Sequence, residues 1–298
     1  MNTNEKISAF LSYIENVERL SENTCKNYKV DLSHFEKFLT EKEIEVENVT
    51  VQTINAFVAT QTVSKATTIN RRLSSITSFY AYLILIGDVA INPVLAVKKR
   101  PKITVTVPDI MTESEQQKVL SVVANHNYTK GDTTFFRNYA ILNLLFASGI
   151  RRDELANLKV ADVMLSENAV IVSKGKGDKQ RLAYYNDKTR AILCEYIQAY
   201  RPLYTHSNTS EYLFLGATSE RLHDNTIHRI VCYYFELAGC KKAGRAVHAT
   251  RKRFTQNAYQ ISHDVYAVAN LLGHTNINNV QRYAVAEQER NKAICMGF

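Results

Sequence analysis

Apolar side chains recur at helical spacing through the first ninety residues of this chain. Ile7, Phe10, Leu11 and Ile14 occupy the i, i+3, i+4 and i+7 positions of an amphipathic helix. Three more helices are predicted, one beginning after Ser21, one over residues 51–60 and one over residues 65–86. The inward positions are Tyr28, Leu32, Phe35 and Leu39 in the second helix and Ile69, Leu73, Ile76, Phe79, Tyr80 and Leu83 in the fourth. Gly87 and then Asn92-Pro93 end the fourth helix, so residues 1–95 are predicted to form a small helical domain.

The apolar periodicity stops between residues 96 and 108. This stretch is basic and broken by proline, which predicts a linker between two domains. Its residues Lys98, Lys99 and Arg100 are candidates for contact with a phosphate backbone. Thr112-Glu113-Ser114-Glu115 then forms a capping box that opens a new helix, and the second domain is predicted to cover residues 109–298.

The second domain has a helical pattern with one β-rich insert. Val170-Ile171-Val172 predicts a strand, Gly175-Lys176-Gly177-Asp178 a turn, and residues 180–185 a return strand. The expected fold is therefore mostly α with a small β-sheet.

Composition narrows the class of protein. The 298 residues are 45% apolar and 22% charged, which is typical of a folded globular protein rather than a disordered one. No stretch approaches the ~20 consecutive apolar residues of a membrane span, and no secretory signal is predicted. The five cysteines are scattered without a C-x-x-C pair, so neither a disulfide framework nor a zinc site is expected. A cytoplasmic location is expected for the same reason.

The charge of the chain suits a polyanionic partner. The net charge is +8, with an isoelectric point near 9.1. Residues 1–100 carry 12 Lys and Arg against 11 Asp and Glu, while the rest carries 25 against 18. The positive excess therefore lies mainly in the second domain.

Candidate chemistry is concentrated in the same domain. His248 and Arg251 share a helix face in a basic run, His274 follows the helix-ending Gly273, and Tyr283 lies nine positions later. A tyrosine near histidines and arginines can open a phosphodiester by covalent attack. Taken singly, each residue also has an ordinary role: a solvated basic helix for His248 and Arg251, a helix cap for His274, and a core or surface position for Tyr283.

Three further positions complete this set. Arg151 follows Gly149, which ends an apolar helix, so its side chain leaves a helix-terminal turn unless it is a plain surface arginine. Glu154, one turn later, either orients Arg151 or solvates a helix start. Lys176 lies between glycines at the predicted hairpin tip, where it is either a proton donor to a leaving oxygen or a solvated residue.

The joint order of these motifs resembles that of the tyrosine site-specific recombinases, or phage integrase family, particularly its compact Xer-like and transposon resolvase-like members. The resemblance covers nearly the whole chain. The motifs that carry it are Ser148-Gly149-Ile150-Arg151 through Leu155, Gly175-Lys176-Gly177-Asp178-Lys179-Gln180-Arg181, His248-Ala249-Thr250-Arg251, Leu272-Gly273-His274 with Tyr283, and upstream Thr24, Tyr28, Asp31, Leu32, Phe35, Asn70-Arg71-Arg72-Leu73, Phe79-Tyr80 and Asn92-Pro93. Thr250 stands where the family has leucine, Val285 replaces an auxiliary histidine, and the spacing between the first two motifs is one residue off the commonest.

This resemblance implies an N-terminal helical, SAM-like core-binding domain and a C-terminal α+β catalytic domain that clamp duplex DNA. It implies that Tyr283 attacks the scissile phosphate to give a 3′-phosphotyrosyl link, without metal, ATP or another cofactor. Arg151 and Arg251 would stabilise the non-bridging oxygens. The remaining implied roles are general acid for Lys176, proton removal for His248, a phosphate hydrogen bond for His274 and orientation for Glu154.

The resemblance also implies the partners. The substrate is double-stranded DNA with inverted half-sites, and the assembly is a homo-tetramer on two DNA sites, with a dimer on each and no membrane. Arg71, Arg72, Lys98, Lys99, Arg100 and Lys179 are the predicted DNA-binding residues. Residues 287–298, which end in an apolar segment, would be the helix exchanged between neighbours.

Two other activities remain open from the sequence. A type IB topoisomerase-like enzyme would nick and reseal DNA by the same attack, although the core-binding helices argue against it. A DNA-binding regulator could keep the fold without cleaving, although the complete catalytic set argues against that. Chromosome-dimer resolution, transposon cointegrate resolution and element integration all remain possible roles; the lack of an additional arm-binding domain favours a simple-site or resolvase role.

Overall fold

The computed structural model describes residues 2–97, 100–102, 109–126, 134–173, 180–273 and 280–281. The chain divides into two compact units, Met1–Thr106 and Val107–Phe298. The exact limits predicted for the linker, 96–108, stay a prediction, because most of that stretch lies outside the described residues.

The described part of the first unit has four α-helices: α1 (Thr3–Asn16), α2 (Glu22–Glu41), α3 (Val51–Thr60) and α4 (Ala66–Leu85). Short 3-10 turns follow α2 and α4, at Val46–Asn48 and Pro93–Ala96. The Ser21 side chain accepts a hydrogen bond from the main-chain N–H of Thr24, which explains why α2 begins where the sequence predicts. Gly87 adopts a positive φ of 81° directly after α4, as a helix-ending glycine does.

The predicted apolar stripes form the core of this unit. Its fully buried aromatic members include Phe10, Phe35, Phe57, Phe79 and Tyr80. The Tyr80 hydroxyl is buried with them and donates a hydrogen bond to the main-chain carbonyl of Val46, 2.7 Å away. The buried polar end of this large side chain is therefore satisfied inside the core.

The second unit consists mainly of helices and has one small sheet. Its helices are α5 (Glu113–Ala124), α6 (Thr134–Ser148), α7 (Arg152–Ala156), α8 (Asp187–Glu195), α9 (Asp224–Leu237), α10 (His248–Ser262) and α11 (Val265–Leu272). Thr112 and Glu115 form the predicted capping box at the start of α5. A π-helical turn, Tyr196–Tyr200, and a 3-10 turn, Arg201–Leu203, extend α8.

Among the residues that the structure describes, the sheet has three antiparallel strands in chain order: β1 (Val163–Met164), β2 (Ala169–Val172) and β3 (Arg181–Tyr184). Val170 pairs with Ala183, so β2 and β3 pair as predicted for the two strands of the hairpin, and both residues are buried in the main core. The predicted turn at residues 175–178 lies outside the described residues. The sequence did not predict β1. The observed architecture, mostly helical with a small sheet, confirms the predicted fold class.

Within the described ranges, no helix has both the length and the apolar character needed to cross a membrane.

Candidate active site

The turn after α6 brings three segments together. Gly149 has a positive φ of 59°, a conformation that favours glycine. A Cβ atom at this position would lie 2.4 Å from Cδ1 of Phe254 and 3.1 Å from Cδ2 of Leu272. The turn therefore packs directly against side chains of α10 and α11, and only a glycine fits there.

Arg151 leaves this turn as the N-cap of α7, and Glu154 holds it from both sides. The main-chain N–H of Arg151 donates to Oε2 of Glu154 at 2.8 Å, and its Nη1 donates to Oε1 at 2.7 Å. The side chain of Glu154 is 7% exposed, whereas that of Arg151 is 33% exposed. Of the two roles considered for Glu154, the geometry supports orientation of Arg151, because a buried carboxylate is not a solvated helix start.

A second arginine shares the same carboxylate. Nη2 of Arg181, the first residue of β3, lies 2.6 Å from Oε2 of Glu154. Burial raises the pKa of Glu154, but the hydrogen bond from the Arg151 main chain and the charges of Arg181 and Arg151 outweigh it, so its pKa is held below the usual value. Arg181 belongs to one of the sequence motifs, but the sequence assigns it no role. The only signal was the motif itself, since its partner lies 27 positions earlier.

Arg251 ties the turn to the end of α11. It lies in the first turn of α10, is largely buried, and donates hydrogen bonds to the main-chain carbonyls of Gly149 and, at 2.7 Å, Leu272. Gly149 precedes Arg151 by two positions, and Leu272 precedes His274 by two. One guanidinium therefore joins three of the motifs found in the sequence.

His248 is the first residue of α10 and shares that helix with Arg251, as predicted. Partial desolvation lowers its pKa from the usual 6.5, and the nearby positive charges of Arg152, Arg251 and Lys252 lower it further. A position at a helix N-terminus also disfavours a cationic ring. These effects favour the neutral imidazole, the form that can accept a proton.

Local contacts explain why a threonine is tolerated at position 250. Thr250 is fully buried, and its hydroxyl donates to the main-chain carbonyl of Val247 at 2.8 Å. A threonine can therefore replace the leucine of the family motif without an unsatisfied polar group.

Gly273 ends α11 in the left-handed conformation, with φ of 63°, as predicted for the residue before His274. Val268, Ala269 and Leu272 are buried together with Val280. Lys176, Lys179, His274 and Tyr283 lie outside the described residues, as do Lys98, Lys99 and residues 287–298. Their predicted roles stay predictions.

The predicted DNA-binding pair on α4 divides into two environments. The side chain of Arg71 is 44% exposed and its Nη1 contacts Oδ2 of the fully buried Asp31 at 2.7 Å. The side chain of Arg72 is only 11% exposed and hydrogen-bonds to Gln61 and Ser64 within its own unit. Arg71 is therefore the better placed of the two for a phosphate, and Arg72 has an internal role that the sequence did not predict. Arg100 is exposed.

Comparison with known proteins agrees with this geometry. Residues 110–290 match the phage integrase family, and residues 7–87 match the phage integrase N-terminal SAM-like domain. A tyrosine recombinase of Pseudothermotoga lettingae is 32% identical over 96% of this chain and 95% of its own length. Tyrosine recombinase XerC of Thermodesulfovibrio yellowstonii is 30% identical over 95% of this chain and 92% of its own.

Among solved structures, the XerH site-specific recombinase bound to a palindromic difH substrate, in a post-cleavage complex, has the same fold. Its TM-score is 0.81 at 18% identity, over 97% of this chain and 84% of that one. Neither the topoisomerase-like enzyme nor the non-cleaving regulator gains support from these comparisons. The chain belongs to the phage integrase family, and it is a tyrosine recombinase, an enzyme that cleaves and rejoins DNA at specific sites.

Proposed function

We propose that Tyr283 attacks the scissile phosphate, forming a 3′-phosphotyrosyl link and releasing a 5′-hydroxyl that later attacks the partner strand. Each attack exchanges one phosphodiester for another, so no nucleotide is consumed. The observation that carries the proposal is the pair of hydrogen bonds from Arg251 to the carbonyls of Gly149 and Leu272, which joins the segments of Arg151, Arg251 and His274.

Each catalytic group has a distinct task in this proposal. Arg151 and Arg251 bind the non-bridging oxygens, where negative charge grows in the transition state. His248 removes the proton of Tyr283, and its lowered pKa supports a neutral, proton-accepting ring. Lys176 protonates the departing 5′-oxygen, and His274 donates a hydrogen bond to the phosphate.

The proposed substrate is double-stranded DNA with inverted half-sites. The palindromic substrate of XerH, which shares the fold, supports this arrangement. Each protomer has one nucleophile, and exchange between two duplexes breaks four strands, so a dimer on each site and a homo-tetramer on two sites are the natural assembly. The apolar C-terminal segment 287–298 is the proposed link between neighbours.

The proposed domains are a core-binding domain over residues 1–95, a basic linker over 96–108 and a catalytic domain over 109–298. The two compact units and the two matched family regions support this division. We also propose a cytoplasmic location, which the described free cysteines Cys25, Cys194, Cys232 and Cys240 support because a reducing compartment keeps thiols unpaired.

A suicide substrate tests the nucleophile. In a site with a nick near the scissile phosphate, the 5′-hydroxyl fragment diffuses away, so a covalent protein–DNA adduct accumulates and survives a denaturing gel. We expect Tyr283→Phe to bind this site with unchanged affinity and to form no adduct, because only the attacking oxygen is removed. Tyr266→Phe, which changes an exposed tyrosine on α11, is the matched control and should form the adduct. An adduct with Tyr283→Phe would refute the assignment.

A further inference from the structure

Arg181 has no task in the reaction described so far, yet it is nearly buried beside it. Its side chain is 9% exposed, and its Nη2 contacts Oε2 of Glu154 at 2.6 Å. It stands at the start of β3, five positions after Lys176 in the chain. It therefore joins the strand that follows the predicted hairpin to the carboxylate that holds Arg151.

Stability alone does not explain this arrangement. The Nε and Nη1 atoms of Arg181 are buried and have no hydrogen-bond partner among the described residues. A buried arginine with two unpaired donors costs free energy, and a buried ion pair is often no more stabilising than apolar residues of similar size. Features that break such packing rules are expected mainly at functional sites.

The shared oxygen gives Arg181 a route to Arg151. Oε2 of Glu154 accepts hydrogen bonds from Nη2 of Arg181 and from the main-chain N–H of Arg151, while Oε1 accepts from Nη1 of Arg151. The carboxylate is thus fixed from β3 on one side and from the turn before α7 on the other. Without Arg181, the carboxylate would lose its only described partner outside the Arg151 segment.

We propose that Arg181 is a positioning residue for cleavage, which holds Glu154 so that the Arg151 guanidinium is fixed for the scissile phosphate. This inference rests on the proposed role of Arg151. Arg181 acts through Glu154 and does not itself touch the DNA. It also fixes β3, the strand that follows the predicted turn at Lys176, to the same carboxylate.

A neutral substrate separates this role from a structural one. In a methylphosphonate, a methyl group replaces one non-bridging oxygen of the scissile phosphate, so there is less charge for Arg151 to stabilise. We expect Arg181→Gln to slow adduct formation roughly 10- to 100-fold on the phosphate, as a displaced catalytic group does. On the methylphosphonate the loss should shrink to a few-fold, in parallel with Arg151→Ala. Arg181→Lys should retain most of the activity, because Arg181 uses a single nitrogen on Glu154.

Arg201→Gln is the matched control for loss of a buried arginine. Within the described part of the chain, Arg201 donates only to main-chain carbonyls, those of Ser207, Ser210 and Tyr212. We expect Arg201→Gln to lower the melting temperature. The ratio of its cleavage rate on the phosphate to that on the methylphosphonate should equal the wild-type ratio. If Arg181→Gln fails to fold, the rates on the phosphate and the methylphosphonate are compared for Glu154→Gln and Arg181→Lys instead.

The possible outcomes test the positioning role of Arg181 separately from the proposed role of Arg151. If the methylphosphonate restores Arg151→Ala but not the Arg181 and Glu154 variants, the positioning role is wrong and the proposed function stands. If it restores none of them, the role of Arg151 is wrong, and the inference falls with it.

Discussion

Nη2 of Arg251 donates a hydrogen bond to the main-chain carbonyl of Leu272, 2.7 Å away. Leu272 is the last residue of α11, and its carbonyl is one of those that a helix leaves without an internal partner. The contact therefore caps one helix while it orients a guanidinium at the beginning of another. Any change that moves this carbonyl should also move the proposed phosphate ligand.

Gly149→Ala should disturb this junction. The new Cβ would lie 2.4 Å from Phe254, and an alanine is strained at a φ of 59°. We expect the free energy of unfolding to fall by roughly 2–5 kcal/mol from strain and overpacking together, and adduct formation to fall with it. Urea unfolding and the suicide-substrate assay measure the two effects.

Gly239→Ala is the control for this prediction. Gly239 has a similar φ of 65°, but nothing lies within 4 Å of a Cβ built there. It should show the backbone cost alone and normal cleavage per folded molecule. Equal losses in the two variants would mean that the contact with Phe254 does not matter.

Arg152→Gln should move the acid limb of cleavage to higher pH. The pKa of His248 lies below 6.5 through partial desolvation and then the charges of Arg152, Arg251 and Lys252, with Asp153 opposing them. The ring is active when neutral, so activity is lost as pH falls through this lowered pKa. Removing the Arg152 charge raises that pKa, and activity is then lost at a higher pH.

The measurement is the single-turnover rate of adduct formation between pH 5 and 8. Arg190→Gln is the control, since Arg190 is an exposed arginine in an ion pair with Asp187, as Arg152 is with Asp224. An unchanged midpoint in Arg152→Gln, or a shift to lower pH, would show that the acid limb does not report His248.

Lys176→Ala should slow cleavage of an ordinary 5′-oxygen bond far more than cleavage of a 5′-bridging phosphorothiolate. Sulfur leaves without protonation, so a missing general acid matters little for that substrate. Lys179→Ala, in the same motif, should weaken DNA binding and slow both substrates alike. Equal defects of Lys176→Ala on both substrates would transfer the acid role to another residue.

Arg71→Ala and Arg72→Ala should differ although the residues are neighbours. Arg71 is half-exposed, so its loss should remove about one phosphate contact and reduce the slope of log K against log salt by about 1. Arg72 bonds within its unit, so its loss should lower the melting temperature and leave the slope near that of the wild type. Half-site titrations at several salt concentrations, beside thermal melts, measure both. A slope that changes equally in both variants would contradict this division.

Local signals made much of the fold predictable. Helix periodicity and side-chain caps such as Ser21 and Thr112 depend on residues three or four apart, so the sequence displays them directly. Gly149 indicated the turn before Arg151, because that turn requires a positive φ and glycine adopts it readily. β1 was missed because two residues are too few to show a period.

The contacts that complete the site were not predictable in the same way. Arg251 binds main-chain carbonyls, and every residue type offers one, so no side chain marks the acceptor. Arg181 and Glu154 are 27 positions apart and meet only through the tertiary fold, which no local pattern encodes. Arg72 is internal for a similar reason, since Gln61 and Ser64 come from the connection between α3 and α4.

The carboxylate shared between Arg151 and Arg181 also constrains how this sequence can drift. A neutral residue at position 154 would remove the ion pair with Arg151. It would also leave the buried charge of Arg181 without its carboxylate partner. Substitution of Arg181 by an apolar residue would leave a buried carboxylate less well compensated. Positions 154 and 181 are therefore expected to be inherited as a pair, so that descendants that lose the arginine also replace the glutamate.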